Sequence, residues 1–353
     1  MEKALPPMSS RLVEYAFDEP TPPGLFICAG GFEARALSFI RGLTRPQFRF
    51  AASLVLCYEN QFPENQKNLS YILDRLRYLH GATPEVVGVN SKKPNQTLRA
   101  LRETVLTASA KLRYQAVVID ISGMSQMLAL CSIHACFSAG LPVTIVYTEA
   151  RSYFPTKPEG EKLIRAWNDQ NFEVAARYLQ SQGLKSIHIL SEFAGSFRPT
   201  KPTCLMVFLG YEPNRIEGLI DRYAPDRLVA LYGRSPHERF RWRTTLSKRL
   251  HEPLLENVPV RKREVSTLEV DEIVSALEAE FDVLHEFYEI AIAPQCSKMQ
   301  AVATYLFWLQ HPEVQLVFTS PVRFNPEHYS RGSSKTFVYE LPAQAVRPMY
   351  LAK

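Results

Sequence analysis

The 353-residue chain has no apolar run of about 18 residues, the length a membrane-spanning helix needs, so no span is expected. Met1-Glu2-Lys3-Ala4-Leu5-Pro6-Pro7 lacks the continuous apolar core of an export signal. The six cysteines (Cys28, Cys57, Cys131, Cys136, Cys204, Cys296) include no Cys-x-x-Cys pair and no Cys/His spacing suited to zinc. Most of them sit in apolar runs, where a reduced thiol acts as a small hydrophobe, and the expected setting is cytoplasmic. A full GxGxxG turn, a P-loop lysine and low-complexity stretches are also missing from the sequence. What is present is ordinary for a globular chain: 46% apolar and 22% charged residues, enough for two or three domains. The net charge of +5 suits anionic ligands without demanding nucleic acid.

Within that ordinary composition the sequence repeats itself. Gly31-Phe32-Glu33 follows one apolar run, and Gly210-Tyr211-Glu212 follows another. Leu56-Cys57-Tyr58 is answered by Ala230-Leu231-Tyr232, Ser125-Gln126-Met127 by Ser297-Lys298-Met299, and Tyr147-Thr148 by Phe318-Thr319. The spacing between matched motifs drifts slowly and never reverses, as expected of one unit copied and then trimmed in its loops.

Residues 1–23 read as a Pro-rich arm. Apolar runs at 24–29, 52–57, 85–89, 116–121 and 143–147 alternate with helical patterns, and runs near 204–209, 227–232, 258–264, 288–293 and 314–319 repeat the order. Strands apolar on both faces and separated by helices specify parallel sheets covered on both sides. The expected fold is therefore α/β, with two tandem Rossmann-like, doubly wound parallel sheets related by duplication. The boundaries read as 24–155 for the first domain, 156–200 for a helical linker or insert, and 201–353 for the second. Thr336-Phe337-Val338-Tyr339-Glu340-Leu341 reads as a further strand of the second half.

Ligands of such sheets bind beyond the carboxyl ends of the strands, where the repeated loops fall. Gly31 and Glu33 follow the first strand of one half, and Gly210 and Glu212 that of the other. Each glutamate either caps its helix, accepts hydrogen bonds from ribose or a base edge, or pairs with an arginine; Arg151 and Arg323 are the expected partners. Ser122, Gly123 and Ser125 follow the fourth strand, and Ser297 and Lys298 follow its counterpart. Either these residues turn the chain and cap helices, or their backbone N–H groups cradle a phosphate, with Lys298 adding charge.

The Leu-Gly-Tyr-Glu-Pro opening at 209–213, the strand-helix alternation and the Cys-Ser-Lys-Met turn at 296–299 resemble a CARF domain, the Rossmann-like sensor of CRISPR-linked and other bacterial defence proteins. The resemblance covers roughly 202–322 and, by repetition, 24–155; a fused pair is similar to SAVED-type receptors. It implies a cyclic oligonucleotide or related nucleotide as ligand, held by the first-strand loop and a Thr-Gly-Gly-Thr-Lys-like turn. Ser297 and Lys298 match the end of that turn and Ser125 its serine or threonine, whereas Gln126 stands where the family has lysine. A separately encoded effector would be the partner in antiphage defence, with no membrane involved and no cofactor evident.

One further patch follows the second strand of the second half. Arg234, Arg239, Arg241 and Arg243 interleave with Phe240 and Trp242, a pattern that suits either a solvated helix face with its aromatics inside or phosphate binding with base stacking. Three functions remain open: a ligand-sensing protein, a nucleotide-cleaving or nucleotide-transferring enzyme using Asp120, Ser122 or the Glu33/Arg35 pair, and a nucleic-acid-binding subunit. Ser125 and His134 are too far apart on one helix to act as nucleophile and base.

Overall fold

The computed structural model describes residues 12–17, 21, 24–59, 63–112, 116–198, 200–256 and 259–341. The chain groups into two compact units. One takes the chain up to Ser152 together with the stretch from Ser330 onward, and the other is Tyr153–Tyr329. Most of the expected Pro-rich arm lies outside the described residues.

The first unit is built on β1 (Gly24–Ala29), β2 (Phe50–Tyr58), β3 (Glu85–Val89), β4 (Val117–Asp120) and β5 (Val143–Thr148), all parallel to one another. Between them run α1 (Ser38–Gly42), α2 (Pro63–His80), α3 (Pro94–Leu112) and α4 (Gln126–Ser138). The sheet order places β1 beside both β2 and β4, so the winding reverses between β1 and β4. Every residue of β1 and of β4 is buried, which is why both strands read as apolar runs, β4 closing on the buried Asp120. Phe26, Phe39, Phe48 and Phe50 lie in the core under this sheet with Ile72 and Leu76 of α2.

Thr336–Glu340 was expected beside the second half, but it pairs antiparallel with β5 of the first unit, Thr336 opposite Thr148 and Glu340 opposite Thr144. The two threonine hydroxyls at the end of this ladder are 2.9 Å apart and hydrogen-bonded. Val13–Glu14 adds a short antiparallel edge beyond it.

The second unit carries β6 (Thr203–Leu209), β7 (Arg227–Arg234), β8 (Val260–Ser266), β9 (Glu289–Ala293) and β10 (Gln315–Leu316), in the order β8-β7-β6-β9-β10 and parallel throughout. Here the reversal falls between β6 and β9. The helices are α5 (Lys157–Asn168), α6 (Phe172–Ala176), α7 (Pro213–Tyr223), α8 (Trp242–Leu255), α9 (Val270–Leu284) and α10 (Lys298–Gln310). The helical stretch expected within 156–200 breaks into α5 and α6, because Gln170 takes a positive φ of 53° and Asn171 caps a new start at Val174 N–H. Leu163, Ala166, Ala175 and Leu179 form a core with Leu246 and Leu250 of α8, so this stretch packs within the second unit. Ser186–His188 pairs antiparallel with Phe318–Ser320, and Ser181–Gln182 with Arg323–Phe324. Both sheets are Rossmann-like in class: α/β and mostly parallel.

Candidate functional site

At the β1/β4 reversal the backbone fills the space where a ligand was expected. A Cβ on Gly31 would stand 2.2 Å from the Gly123 carbonyl oxygen, and one on Gly123 would stand 2.6 Å from that of Ala29. These glycines let the two loops touch, backbone against backbone. Ser122 is fully buried, its Oγ accepting from Thr148 N–H at 2.8 Å and its own N–H donating to Asp120 Oδ1 at 2.9 Å. Glu33 is buried and paired with Arg35 rather than with the exposed Arg151 expected to meet it: Nε–Oε2 is 3.0 Å and Nη2–Oε1 2.9 Å. Arg35 also donates to Tyr147 Oη at 3.2 Å, and Ser330 Oγ donates to Glu33. The pair neutralises a carboxylate that burial would otherwise penalise.

The second unit repeats this device. Buried Glu212 pairs with Arg215, not with the exposed Arg323, and accepts from Ser181 Oγ. Gly210 is looser, since a Cβ there would meet the Gln295 carbonyl oxygen at 3.5 Å. Ser297 is committed to capping α10: its Oγ accepts from Gln300 N–H at 3.0 Å and donates to the Thr267 carbonyl at 2.8 Å, while its N–H donates to Gln300 Oε1 at 3.0 Å. Lys298, half-buried, opens the helix. Beside it Cys296 is pushed up to about 12 by burial.

The arginine run divides in two. Arg239 and Arg241 are exposed, Arg239 lying over the Phe240 ring at 4.6 Å. Arg243 is buried and does not belong to a phosphate-binding surface. Its Nε donates to Tyr211 Oη at 3.0 Å, Nη1 to the Pro155 carbonyl at 2.7 Å and Nη2 to the Phe154 carbonyl at 3.0 Å. Arg234 is held by Glu272, both carboxylate oxygens lying 2.8 Å from Nη2. Glu272 also accepts from Ser266 N–H at 2.9 Å, so a carboxylate of the protein already occupies the anion position at the start of α9.

The matching place in the first unit is built differently. A cleft at the carboxyl ends of β2 and β3 is lined by Tyr58, Asn90, Ser91, Thr97, Ser125 and Met127, and has room for roughly one water in about 10 Å³. The starts of α3 and α4 both flank it, and neither first turn carries an acidic residue. Ser125 caps α4 by accepting from Leu128 N–H at 3.2 Å, and its own N–H donates to Tyr58 Oη at 2.8 Å. Burial raises the Tyr58 phenol to about 12, against the Ser125 hydrogen bonds that lower it, so it stays a neutral hydroxyl at physiological pH. Asn90 orders the loop by accepting from Lys92 N–H at 2.9 Å, and Lys92 and Lys93 stand exposed on that loop. Of the expected residues only Ser125 lines this cleft. Tyr58, Asn90, Ser91, Lys92, Lys93 and Thr97 were missed; their signal is a polar loop after the third strand leading into Pro94 with no acid in the following turn.

Among the described residues no group of His, Cys, Asp and Glu could hold a metal ion, and no helix is long and apolar enough to cross a membrane. No family model matches the chain, and no curated protein matches it. Among solved structures it is similar to a type III CRISPR defence DNA nuclease activated by cyclic oligoadenylate, with a TM-score of 0.48 and 11% identity over 81% of this chain and 64% of that one. The chain thus spans less than two thirds of that nuclease. It is also similar to a universal stress protein from Archaeoglobus fulgidus, with a TM-score of 0.25 and 9% identity over 84% of this chain and 96% of that one. A third is UDP-GlcNAc 2-epimerase from Neisseria meningitidis bound to UDP-GlcNAc, at 0.23 and 13% identity over 84% and 87% of the two chains. None of these likenesses bears on function.

Proposed function

We propose that the protein is a receptor for a phosphate-bearing small molecule of the nucleotide class, and that the anionic end of this ligand docks in the first-unit cleft between the starts of α3 and α4. One observation carries the reading: two helix N-termini free of first-turn acids flank a narrow cleft in which the polar side chains of Tyr58, Asn90, Ser91, Thr97 and Ser125 stand among Val89, Pro94, Met127, Leu128 and Cys131, whereas Glu272 fills the corresponding position in the second unit. The positive end of each helix dipole favours an anion, and Lys92 and Lys93 add charge at the rim. The finer parts of the proposal follow from the CARF-like residues. The two units would descend from one duplicated ancestor, the ligand would be a nucleotide second messenger, and a separately encoded effector would receive the signal in bacterial antiviral defence.

Thermal shift with inorganic phosphate, mononucleotides and cyclic oligoadenylates tests this. A ligand present at about 100 times its Kd adds about 2.7 kcal/mol, a rise of roughly 5–10 °C for a unit of this size. Lys93→Glu and Gln96→Glu should each abolish the rise, and Lys298→Ala should leave it intact. A rise indifferent to the first two substitutions places the ligand elsewhere and defeats the proposal. Conversion of the bound nucleotide, followed by chromatography, would favour an enzyme instead.

A further inference from the structure

The outer seam between α1 and α2 of the first unit carries arginines laid on tyrosines. Tyr71, Arg75 and Tyr78 stand at i, i+4 and i+7 on α2 and so share one stripe of that helix. Arg41, in the last turn of α1, lies over the Tyr71 ring at 4.7 Å, and Arg45 lies over the Tyr78 ring at 4.3 Å. Arg75 approaches the Tyr78 ring at 5.2 Å and ties the two helices together. Its Nε donates to the Ile40 carbonyl at 3.2 Å and its Nη2 to that of Leu43 at 2.5 Å. Arg45 Nε donates to the Tyr78 carbonyl at 2.7 Å.

Arginines at the ends of helices often do no more than satisfy the last carbonyls and complement the dipole. That role accounts for the bonds of Arg45 and Arg75, but three observations exceed it. Arg41 makes no such bond among the described residues and meets only the Tyr71 ring. Both rings are exposed, Tyr71 by 37% and Tyr78 by 53%, so neither is spent on the core. The charge is also uncompensated. Residues 38–50 contain Arg41, Arg45 and Arg49 and no acid. Of the two acids in α2, Asp74 is taken by Arg77 at 2.9 Å, and Glu64 stands in the first turn, at the far end of the helix. Lys67, exposed and four residues before Tyr71, extends the same stripe.

These are the parts that a flexible polyanion with aromatic bases requires. A guanidinium has five N–H donors, so Arg41 and Arg45 keep most of theirs for phosphate oxygens. Bases stack on aromatic rings and on guanidinium planes whatever their sequence. Tyr71 and Tyr78 are seven residues apart, about 10 Å along the helix axis, a distance that several linked nucleotides cover and a single one does not. We propose that the α1/α2 seam binds single-stranded nucleic acid, its arginines taking the phosphates and its tyrosine–arginine stacks the bases. The small-molecule cleft beside α3 and α4 plays no part, and the two proposals can fail separately.

Fluorescence anisotropy of the full chain with a fluorescein-labelled oligothymidylate of about 20 nucleotides tests it. Binding should weaken about twentyfold between about 50 and 200 mM salt, as three phosphate contacts on a single strand require. Arg41→Glu, Arg45→Glu and Tyr71→Ala should each weaken it at least about fivefold, with circular dichroism showing the fold retained. Arg41→Gln should fall between the parent and Arg41→Glu. Arg239→Glu, on the exposed surface of the second unit, should leave the Kd unchanged. Inorganic polyphosphate and a duplex of the same length should compete at least about tenfold less well than the unlabelled strand, since neither offers open bases. The proposal is overturned if the strand does not bind at the lower salt, or if Arg41→Glu or Tyr71→Ala binds as the parent does. It is equally overturned if Arg239→Glu abolishes binding, or if polyphosphate or the duplex competes as well as the strand.

Discussion

Replacing Arg243 by alanine separates a structural arginine from a surface one. The guanidinium is 7% exposed and donates to Tyr211 Oη and to the carbonyls of Phe154 and Pro155, with a longer contact of 3.3 Å to that of Tyr153. It also lies over the Tyr211 ring at 4.3 Å. Truncation strands these carbonyls and the phenol without donors. Hydrogen bonds to a charged group are worth about 1.5–3 kcal/mol each and do not add in full, so the expected loss is about 3–5 kcal/mol. Arg239→Ala and Arg241→Ala, at exposed positions, should each cost under about 0.5 kcal/mol. All three tryptophans (Trp167, Trp242, Trp308) belong to the second unit, so tryptophan fluorescence in urea follows its unfolding alone. A loss below about 1 kcal/mol for Arg243→Ala would mean the side chain faces solvent, and the continuous phosphate-binding patch would return as the better reading.

Two further outcomes follow from the same geometry. Gly31→Ala forces a Cβ to 2.2 Å from a backbone oxygen that cannot swing aside, and should cost at least about 1–3 kcal/mol; Gly210→Ala meets its nearest atom at 3.5 Å and should be neutral or stabilising by about 0.4–1 kcal/mol. Equal calorimetric effects of the two would refute the close approach of the Gly31 and Gly123 loops. His251 is buried with its Nδ1 2.8 Å from the Ser247 carbonyl, and burial, against that hydrogen bond, lowers it to about 4. The unfolded chain therefore takes up the proton near pH 6.5 while the folded one does not, so stability falls between about pH 6.5 and 4, by about 3 kcal/mol in total. Relative to the parent, His251→Gln should flatten this part of the pH profile as followed by urea unfolding, and an unchanged slope would show that the imidazole titrates freely.

The parallel strands were legible because burial on both faces writes itself into short stretches such as Gly24–Ala29 and Cys204–Leu209. Partners across long sequence distances were not. The alternation of Thr336–Glu340 identifies a strand, but nothing in it says that β5, nearly two hundred residues earlier, supplies the ladder. Arg243 stands in a run with Arg239 and Arg241, and only the approach of the Phe154 and Pro155 carbonyls distinguishes it. For Glu33 the sequence offered both Arg151 and the nearby Arg35, and it is Arg35, two residues on, that meets it with two hydrogen bonds. The polar loop at Asn90–Lys93 was passed over because it carries no motif, and its meaning lies in which helix starts it sits between.

The buried glutamates explain how these sheets hold their antiparallel arms. Glu33 binds Ser330, just ahead of the strand that pairs with β5, and Glu212 binds Ser181, just ahead of the strand that pairs with Phe318–Ser320. In both units an adjacent arginine cancels the carboxylate charge, so the latch is a neutral cluster that can stay buried. The same acid–arginine–serine latch thus follows the first strand of each unit. Against that shared frame the difference at the α3 and α9 starts stands out. Glu272 neutralises Arg234 and satisfies Ser266 N–H from within, leaving an incoming phosphate nothing to gain there. Gln96, in the first turn of α3, brings no such charge. Converting it to glutamate adds a single carboxylate where the second unit already carries one, so its effect on ligand binding measures how far one charge accounts for the difference between the two helix starts.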